Sequence, residues 1–254
     1  MIRTALLAIS LSCAVAACSS TGSRPLSPPQ PDRASDINLE LGADYFRKGN
    51  LRAAKEKLDR AVEQNPRNAR AHAAAGLLYD QLNDPKTSDA HFDKAVALDP
   101  RNPEILNNYA VILCKRGKAE QGEKYFVRAA SNPLYKTPEV AYLNAGSCAR
   151  GVGDFKNAEG HFRKALAVNP RFARALYEMA DLEYQQQNYL SARGFLERYL
   201  EAGRADSTTL WLALRIEQGL GNAAGASNYA QRLKSEYPTA AETQELLKSE
   251  RNSG

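Results

Sequence analysis

The amino-acid sequence predicts an all-α protein, a superhelical solenoid built from six helix-turn-helix repeats. Three observations lead to this prediction. Glycines and prolines recur at a spacing of 34 residues, as in Gly42 and Gly76 or Pro66 and Pro100. Small and large apolar residues recur at fixed places within each unit, and prolines such as Pro170 fall near the unit ends. A period of this length is typical of stacked repeats, because a single helix pair cannot bury its apolar face alone.

The chain begins with a targeting segment. Arg3 precedes an apolar run that is too short to span a bilayer, and the run ends in Val15-Ala16-Ala17-Cys18. This ending resembles the lipobox of bacterial lipoproteins. The resemblance implies that residues 1–17 are a signal peptide and that acyl chains anchor the mature protein through Cys18. The alternative is an ordinary secreted protein that is cleaved after a small residue. Ser19 replaces the Asp that would favour the inner membrane, so the resemblance implies an outer-membrane protein that faces the periplasm of a Gram-negative bacterium.

The segment 18–34, which starts at the lipidated cysteine, predicts a tether. It is rich in serine and proline and has no apolar period. A semi-extended proline-rich chain rises about 3.1 Å per residue, which gives a reach of roughly 50 Å from the membrane.

The repeats follow the tether in an order that the recurring residues define. Two additional residues, Thr137-Pro138, separate the third unit from the fourth, and residues 241–254 predict a capping helix with a tail. Unit six has Leu214 in place of a small residue and Ala230 in place of a large one, which is typical of a terminal unit. The six predicted units are 35–68, 69–102, 103–136, 139–172, 173–206 and 207–240.

Within the units, small residues lie where the two helices of a pair approach each other, and large residues are expected to fill the space beside the following pair. The first unit contains Leu41-Gly42-x-x-Tyr45 followed by Ala54, Leu58, Ala61 and Pro66, which resembles the tetratricopeptide (TPR) pattern. The small residues are Gly42, Gly76, Ala110, Gly146 and Ala180 on the first helices, and Ala54, Ser88, Gly122, Ala158, Ala192 and Ala226 on the second. The large residues are Leu58, Phe92, Phe126, Phe162 and Leu196.

Composition and motifs exclude several classes of protein. The chain is 43% hydrophobic and 25% charged, and its net charge of +5 is spread evenly, so a disordered, polytopic membrane or nucleic-acid-binding protein is not expected. We find no phosphate-binding loop, CxxC, HExxH or GxSxG motif, and we therefore expect no enzyme activity, no cofactor and no metal. His91 and His161 occupy equivalent places in two units, which predicts repeat-surface residues, and neither these nor His72 is expected to bind a metal. Asp80 and Asp84 are interpreted as solvated charges.

Cys114 and Cys148 lie late in the first helices of adjacent units. In an oxidising periplasm they would form a disulfide that stabilises the fold by roughly 3–4 kcal/mol through closure of a loop of about 35 residues. The alternative is that both are small buried packing residues. Cys13 would leave with the signal peptide.

The first helices of such a solenoid line a concave surface, where we expect a partner to bind. Asn144 and Arg174 match two places of the carboxylate clamp of some TPR domains, but Val111 and Glu178 depart from it, so that clamp is not expected. Aromatic and arginine side chains dominate interface hot spots, although each aromatic here has partly buried packing as an equal alternative. The predicted groove residues are Phe46, Leu77, Asn107, Val111, Leu143, Arg150, Arg174, Tyr177, Tyr184, Trp211 and Arg215, with Asp181 beside them.

The combination of lipobox, tether and six units resembles the PilF/PilW family of type IV pilus biogenesis lipoproteins. The most specific stretches are 104–126, 175–200 and 214–238, which contain residues that the repeat does not require, such as Asn107-Asn108 and Tyr229. The resemblance implies a protein that helps the secretin, the ring through which the pilus exits, to localise or multimerise, or that stabilises the pilus through other pilus-assembly components. The alternative is an adaptor for outer-membrane protein insertion or for peptidoglycan enzymes.

Overall fold

The computed structural model describes residues 31–203 and 205–253. This part of the chain contains thirteen α-helices and no strand. The helices are α1 (Pro31–Arg47), α2 (Leu51–Gln64), α3 (Ala69–Gln81), α4 (Pro85–Leu98), α5 (Pro103–Lys115), α6 (Ala119–Ala130), α7 (Pro138–Gly151), α8 (Phe155–Val168), α9 (Ala173–Gln185), α10 (Tyr189–Ala202), α11 (Ser207–Gly219), α12 (Ala223–Glu236) and α13 (Ala241–Ser253).

The helices stack as six antiparallel pairs with α13 at the end, so the predicted all-α solenoid is confirmed. Each first helix packs against its own second helix and also against the first helix of the next pair. Within the described residues, second helices make no such contacts with one another. The first helices are therefore closer together than the second helices, which curves the stack and places the first helices on its concave face.

Short turns connect the helices of each pair, and their chemistry explains where the helices stop. Every one of the six turns has one residue with a positive φ, the conformation that glycine adopts without a steric penalty. Four of these residues are glycines, and the others are Asn83 and Gln187. At many helix starts an Asn or Asp side chain accepts a hydrogen bond from the backbone N–H three residues later, as Asn68 does from Ala71.

The core lies between the two helices of each pair and the first helix of the following pair. The rings of Phe92 and Phe162 and the side chain of Leu58 lie directly over glycines of their own pair, and a Cβ atom at Gly146 would be 2.4 Å from the Phe162 ring. The large residues were expected beside the following pair. They do reach it, since Phe92 stacks on Tyr109 with 4.8 Å between ring centroids. They also fill the space that a side chain at the glycine of their own pair would need.

Helix α1 (Pro31–Arg47) is already formed at the first described residue, four residues before the predicted start of unit one, so residues 31–34 of the predicted tether are helical. Asn65 donates a hydrogen bond to Asp32 (2.8 Å), and Ser35 donates one to the carbonyl of Ala61 (2.8 Å). These bonds hold the first turn of α1 against the end of α2, and proline is compatible with a first turn because it needs no amide donor there. Similarly, α7 begins at Pro138, within the predicted insertion. The predicted signal peptide, Cys18 and the rest of the tether lie outside the described residues.

The C-terminal end of the stack is closed by α13. Leu246 of α13 packs with Leu214 and Leu233 of the last pair. Leu214 is buried there, so the large side chain that unit six lacks at Ala230 is supplied from the first helix instead. None of the helices in the described ranges is both long and apolar enough to cross a membrane.

Asp80 differs from its predicted role as a solvated charge. Its carboxylate is mostly buried and is paired with Arg116 (2.7 Å), which also contacts Asp89. Arg116 belongs to the following unit, so these ion pairs connect units two and three. Asp84 caps α4 by accepting a hydrogen bond from the backbone N–H of Thr87. Both carboxylates are therefore structural.

His161 also differs from the prediction, because it is buried rather than on the surface, whereas His91 is partly exposed. His72 is buried as well. Nε2 of His72 lies 3.1 Å from the carbonyl oxygen of Pro66, so it carries the proton and donates. Nδ1 of His72 must then accept from Nδ1 of His91, which is 3.0 Å away. His161 is 2.9 Å from the Glu123 carboxylate. The repeat pattern marks these places only as polar, and their burial follows from the neighbouring helices.

Because of the His72–His91 pair, we expect stability to decrease at mildly acidic pH. Burial lowers the pKa of both rings below the ordinary value of 6.5; Lys94 adds to the effect at His72, and His72 itself adds to it at His91. The Pro66 carbonyl and Asp59 oppose these effects. Below pH 6.5 the unfolded chain therefore binds more protons than the folded chain, and the free energy of unfolding falls as the pH is lowered through this value.

Urea unfolding at pH 7.5 and 5.0 measures the effect, which cannot exceed about 1.4 kcal/mol per pH unit for each histidine. The matched variant carries His72→Gln and His91→Gln and should lose much of this pH dependence. An equal pH dependence in the two proteins would contradict the assignment.

Candidate functional site

The concave face carries one equivalent position from each first helix, and we call these six residues the inner stripe. The inner stripe consists of Ala43, Leu77, Val111, Ser147, Asp181 and Arg215. Its side chains are apolar in the first three units, small and polar in the fourth, and charged in the last two. The two ends of the concave face therefore have different binding chemistry.

At the N-terminal end, α1, α3 and α5 enclose a cavity of about 800 Å³, which we call the N-terminal groove. Its floor is apolar, and charged or amide side chains surround it. An apolar cleft with a few polar groups is typical of a site that accepts a side chain from a peptide. The lining residues are Leu39, Glu40, Ala43, Arg47, Arg70, Ala73, Ala74, Leu77, Asn102, Glu104, Ile105 and Asn108.

The structure brings only some of the predicted groove residues to this site. Leu77 of α3 lines the groove, and Val111 of α5, the first helix of the next pair, is 41% exposed. Phe46 instead packs, partly buried, against the core of the first pair. Asn107 accepts a hydrogen bond from Asn144, and its neighbour Asn108 lines the groove. Sequence reasoning missed Asn108 because the choice between adjacent asparagines depends on the rotation of α5.

Leu143 was wrongly predicted to line the concave surface. Its side chain is fully buried, in a cluster that includes Phe162 and Met179. Tyr177 and Trp211 occupy the equivalent position in α9 and α11, and both remain partly exposed. The shorter leucine is covered by α9, whereas the larger rings are not covered completely.

At the C-terminal end, Arg150 forms two ion pairs. Its guanidinium lies 2.9 Å from both the Asp181 and the Glu178 carboxylates. Burial raises the pKa of Glu178, although the charge of Arg150 opposes this effect. Burial, followed by the nearby charge of Asp181, raises the pKa of Tyr177 to about 12. Arg174 lies exposed at the start of α9. These contacts engage Arg150 with two carboxylates within the protein, so its charge is not available to a partner.

Arg215 has a different environment from Arg150. Its guanidinium carbon lies 4.8 Å from the ring centroid of Tyr184 and 6.0 Å from that of Trp211. Such contacts between a cation and aromatic rings are favourable. The side chain is exposed, and within the described residues no carboxylate forms an ion pair with it. Arg215 is therefore a cation whose charge is exposed at the surface.

Between the two ends, Cys114 of α5 and Cys148 of α7 form a disulfide bond, with 5.7 Å between their Cα atoms. Gly122 of α6 lies against this bond, since a Cβ atom there would be 2.4 Å from the sulfur of Cys114. The equivalent position carries Ala or Ser in the other five units. The glycine therefore provides the space that the bond requires. In the described part of the chain no group of three metal-binding side chains comes together.

The repeated pairs and the concave groove define a tetratricopeptide-repeat protein. One family model described as tetratricopeptide repeat matches residues 39–103 and 143–207, and a second such model matches residues 91–124. The chain is also similar over most of its length to the type IV pilus proteins PilF and PilW, and it belongs to their family. It is a protein of type IV pilus biogenesis.

Comparison with individual relatives supports this membership. The chain is 31% identical over 215 residues to the type IV pilus assembly protein PilF of Pseudomonas aeruginosa, with 85% of each chain covered. The crystal structure of PilW, described as a widely conserved type IV pilus biogenesis factor, has a TM-score of 0.73 and 29% identity, covering 84% of this chain and 98% of PilW. The structure of Pseudomonas aeruginosa PilF has a TM-score of 0.73 and 30% identity, covering 86% of this chain and 99% of PilF.

Proposed function

We propose that this protein is an outer-membrane lipoprotein that binds a secretin subunit of the type IV pilus system and so supports localisation and multimerisation of the secretin and stability of the pilus. The observation that carries the proposal is the N-terminal groove, an apolar cleft on the concave face of a chain that is similar to PilF over 85% of its length.

The N-terminal groove suits a partner segment with apolar anchors. Leu77, Ala43 and Ala74 contribute accessible apolar surface, while Glu40 and Arg70 lie beside them. Burying apolar surface supplies about 25 cal/mol per Å², and the charged border helps to orient the segment. A secretin segment, extended or helical, would lie across α1, α3 and α5.

The anchor increases the local concentration of the binding surface. Acyl chains on Cys18 would hold the protein at the inner leaflet of the outer membrane, and the tether up to Pro31 would let the solenoid search the nearby periplasm. Tethering converts capture of the secretin into a local event with an effective concentration that depends on the tether length.

The proposal is tested by an immunoblot of the secretin in outer membranes of a deletion strain, under conditions that preserve multimers. We expect the multimer to be lost while the monomer remains, and the wild-type gene to restore it. A Cys18→Ser variant should restore little, because it lacks the anchor. An intact multimer with few surface pili would restrict the function to pilus stability. An intact multimer with normal pili would contradict the proposal.

Substitution of Leu77 tests the groove itself. A Leu77→Asp variant should bind the secretin at least tenfold more weakly in pull-down titrations, because a carboxylate in the groove replaces an apolar contact worth more than about 1.4 kcal/mol. Leu190→Asp is the matched control, since Leu190 is 72% exposed on a second helix. Circular dichroism establishes that both variants are folded. Equal secretin binding by the two variants would contradict the proposed role of the groove.

A further inference from the structure

We propose that the concave face binds its partner at two chemically different places, and that Arg215 accepts a carboxylate of the bound segment. This inference rests on the proposed function, because it concerns the partner of the same surface. The partner is a peptide segment with an apolar anchor for the N-terminal groove and an acidic side chain for Arg215.

The geometry of Arg215 suits a carboxylate. The rings of Tyr184 and Trp211 hold the guanidinium within 4.8 and 6.0 Å of their centroids. These contacts restrict the side chain while its N–H donors remain available at the edge of the guanidinium plane. A planar guanidinium forms two parallel hydrogen bonds to a carboxylate, and a side chain that is already ordered loses less entropy on binding.

The neighbouring carboxylates are engaged elsewhere, so they do not neutralise Arg215. Asp181, which precedes it on the inner stripe, is paired with Arg150 and accepts a hydrogen bond from Gln185 (2.8 Å). Glu217 is buried on the other side of α11, where it is paired with Arg193. A partner therefore supplies the carboxylate.

The distance between the two places sets the length of the segment. Leu77 and Arg215 are four repeats apart on the inner stripe, and adjacent packed helices are 8–10 Å apart, so the separation along the stripe is about 30–40 Å. An extended chain rises about 3.3 Å per residue, and we therefore expect roughly 10–12 residues between the apolar anchor and the acidic residue.

The chain contains one tryptophan, Trp211, which lies next to Arg215 and reports binding there. The experiment titrates the mature protein with tryptophan-free synthetic peptides that tile the periplasmic region of the secretin from the same organism, and follows Trp211 fluorescence. Each peptide that binds is also made with its Asp and Glu residues replaced by Asn and Gln.

We expect Arg215→Gln to weaken binding of the acidic peptide at least tenfold, and the amide peptide to bind the wild-type protein equally weakly. Arg215→Gln should not weaken binding of the amide peptide further, because that peptide already lacks the carboxylate that pairs with Arg215. Arg52→Gln is the matched control, an exposed arginine on α2. The amide peptides test the inference on the unaltered protein, whatever the variant does to folding.

Equal binding of acidic and amide peptides to the wild-type protein would overturn the inference. If Leu77→Asp still prevented secretin binding in that case, the proposed function would stand without the Arg215 contact. If no secretin peptide bound and the intact secretin were not retained in a pull-down, both the inference and the proposed function would be contradicted.

Discussion

Removing the bond between Cys114 and Cys148 should lower the free energy of unfolding by about 4 kcal/mol. The bond closes a loop of about 35 residues, and the loss of loop-closure entropy in the unfolded chain accounts for a stabilisation of this size. Urea unfolding of a variant with both cysteines replaced by alanine measures the loss. Reducing the wild-type protein should cause a similar loss. Two reactive thiols other than Cys18 in the unfolded, unreduced protein would contradict this prediction.

The position of Gly122 provides a second test of the same bond. Gly122→Ala should destabilise the oxidised protein, because the new methyl group would overlap the sulfur of Cys114. The same substitution should cost less in a Cys114→Ala background, where the sulfur is absent and the backbone carbonyl oxygen of Ala110, 3.0 Å from the new Cβ atom, is the remaining close contact. Gly160→Ala is the matched control, since nothing lies within 4 Å of a Cβ atom there. That change should stabilise α8 by up to about 1 kcal/mol. Equal effects of Gly122→Ala in both backgrounds would contradict the steric explanation.

Replacing Phe162 by alanine should lower the free energy of unfolding by about 3–5 kcal/mol, the usual range for a fully buried aromatic side chain. Its ring fills the space over Gly146 and contacts α9, so its removal leaves a cavity between units four and five. In a linear stack each helix pair is stabilised mainly by its neighbouring pairs. The cavity should therefore weaken the energetic coupling between units one to four and units five and six. A broadened urea transition would report that loss of cooperativity.

Phe162→Leu is the matched control for this substitution. Leu58 and Leu196 occupy the equivalent place in two other units, where the stack accommodates them. We therefore expect Phe162→Leu to cost less than about 1.5 kcal/mol. If the leucine variant were as unstable as the alanine variant, the loss would come from the shape of this site rather than from the cavity.

The repeat architecture could be predicted from the sequence because every unit repeats the same local physics. Gly42, Gly76 and Gly146 are where the helices of a pair are closest, and Pro66, Pro100 and Pro170 follow helices that end two residues earlier. The need for a small residue between two helices, or for a proline after a helix, depends only on residues nearby in the chain or on the adjacent helix. Such a need therefore appears in the sequence as a residue type at a fixed spacing. The start of α1 was predicted less well, because hydrogen bonds to α2 extend it to Pro31.

The sequence by itself therefore determined the class of fold, the repeating pattern of helix pairs and the resemblance to a pilus protein family. The tertiary structure decided which side chains the concave face presents. It buries Leu143 and places Asn108 rather than Asn107 in the N-terminal groove. It also pairs Arg150 with two carboxylates and leaves Arg215 exposed against two aromatic rings. The physical reason is the range of the interactions. A helix pair is specified by contacts a few residues apart or one unit away, whereas the exposure and charge of a groove side chain depend on the rotation of three neighbouring helices.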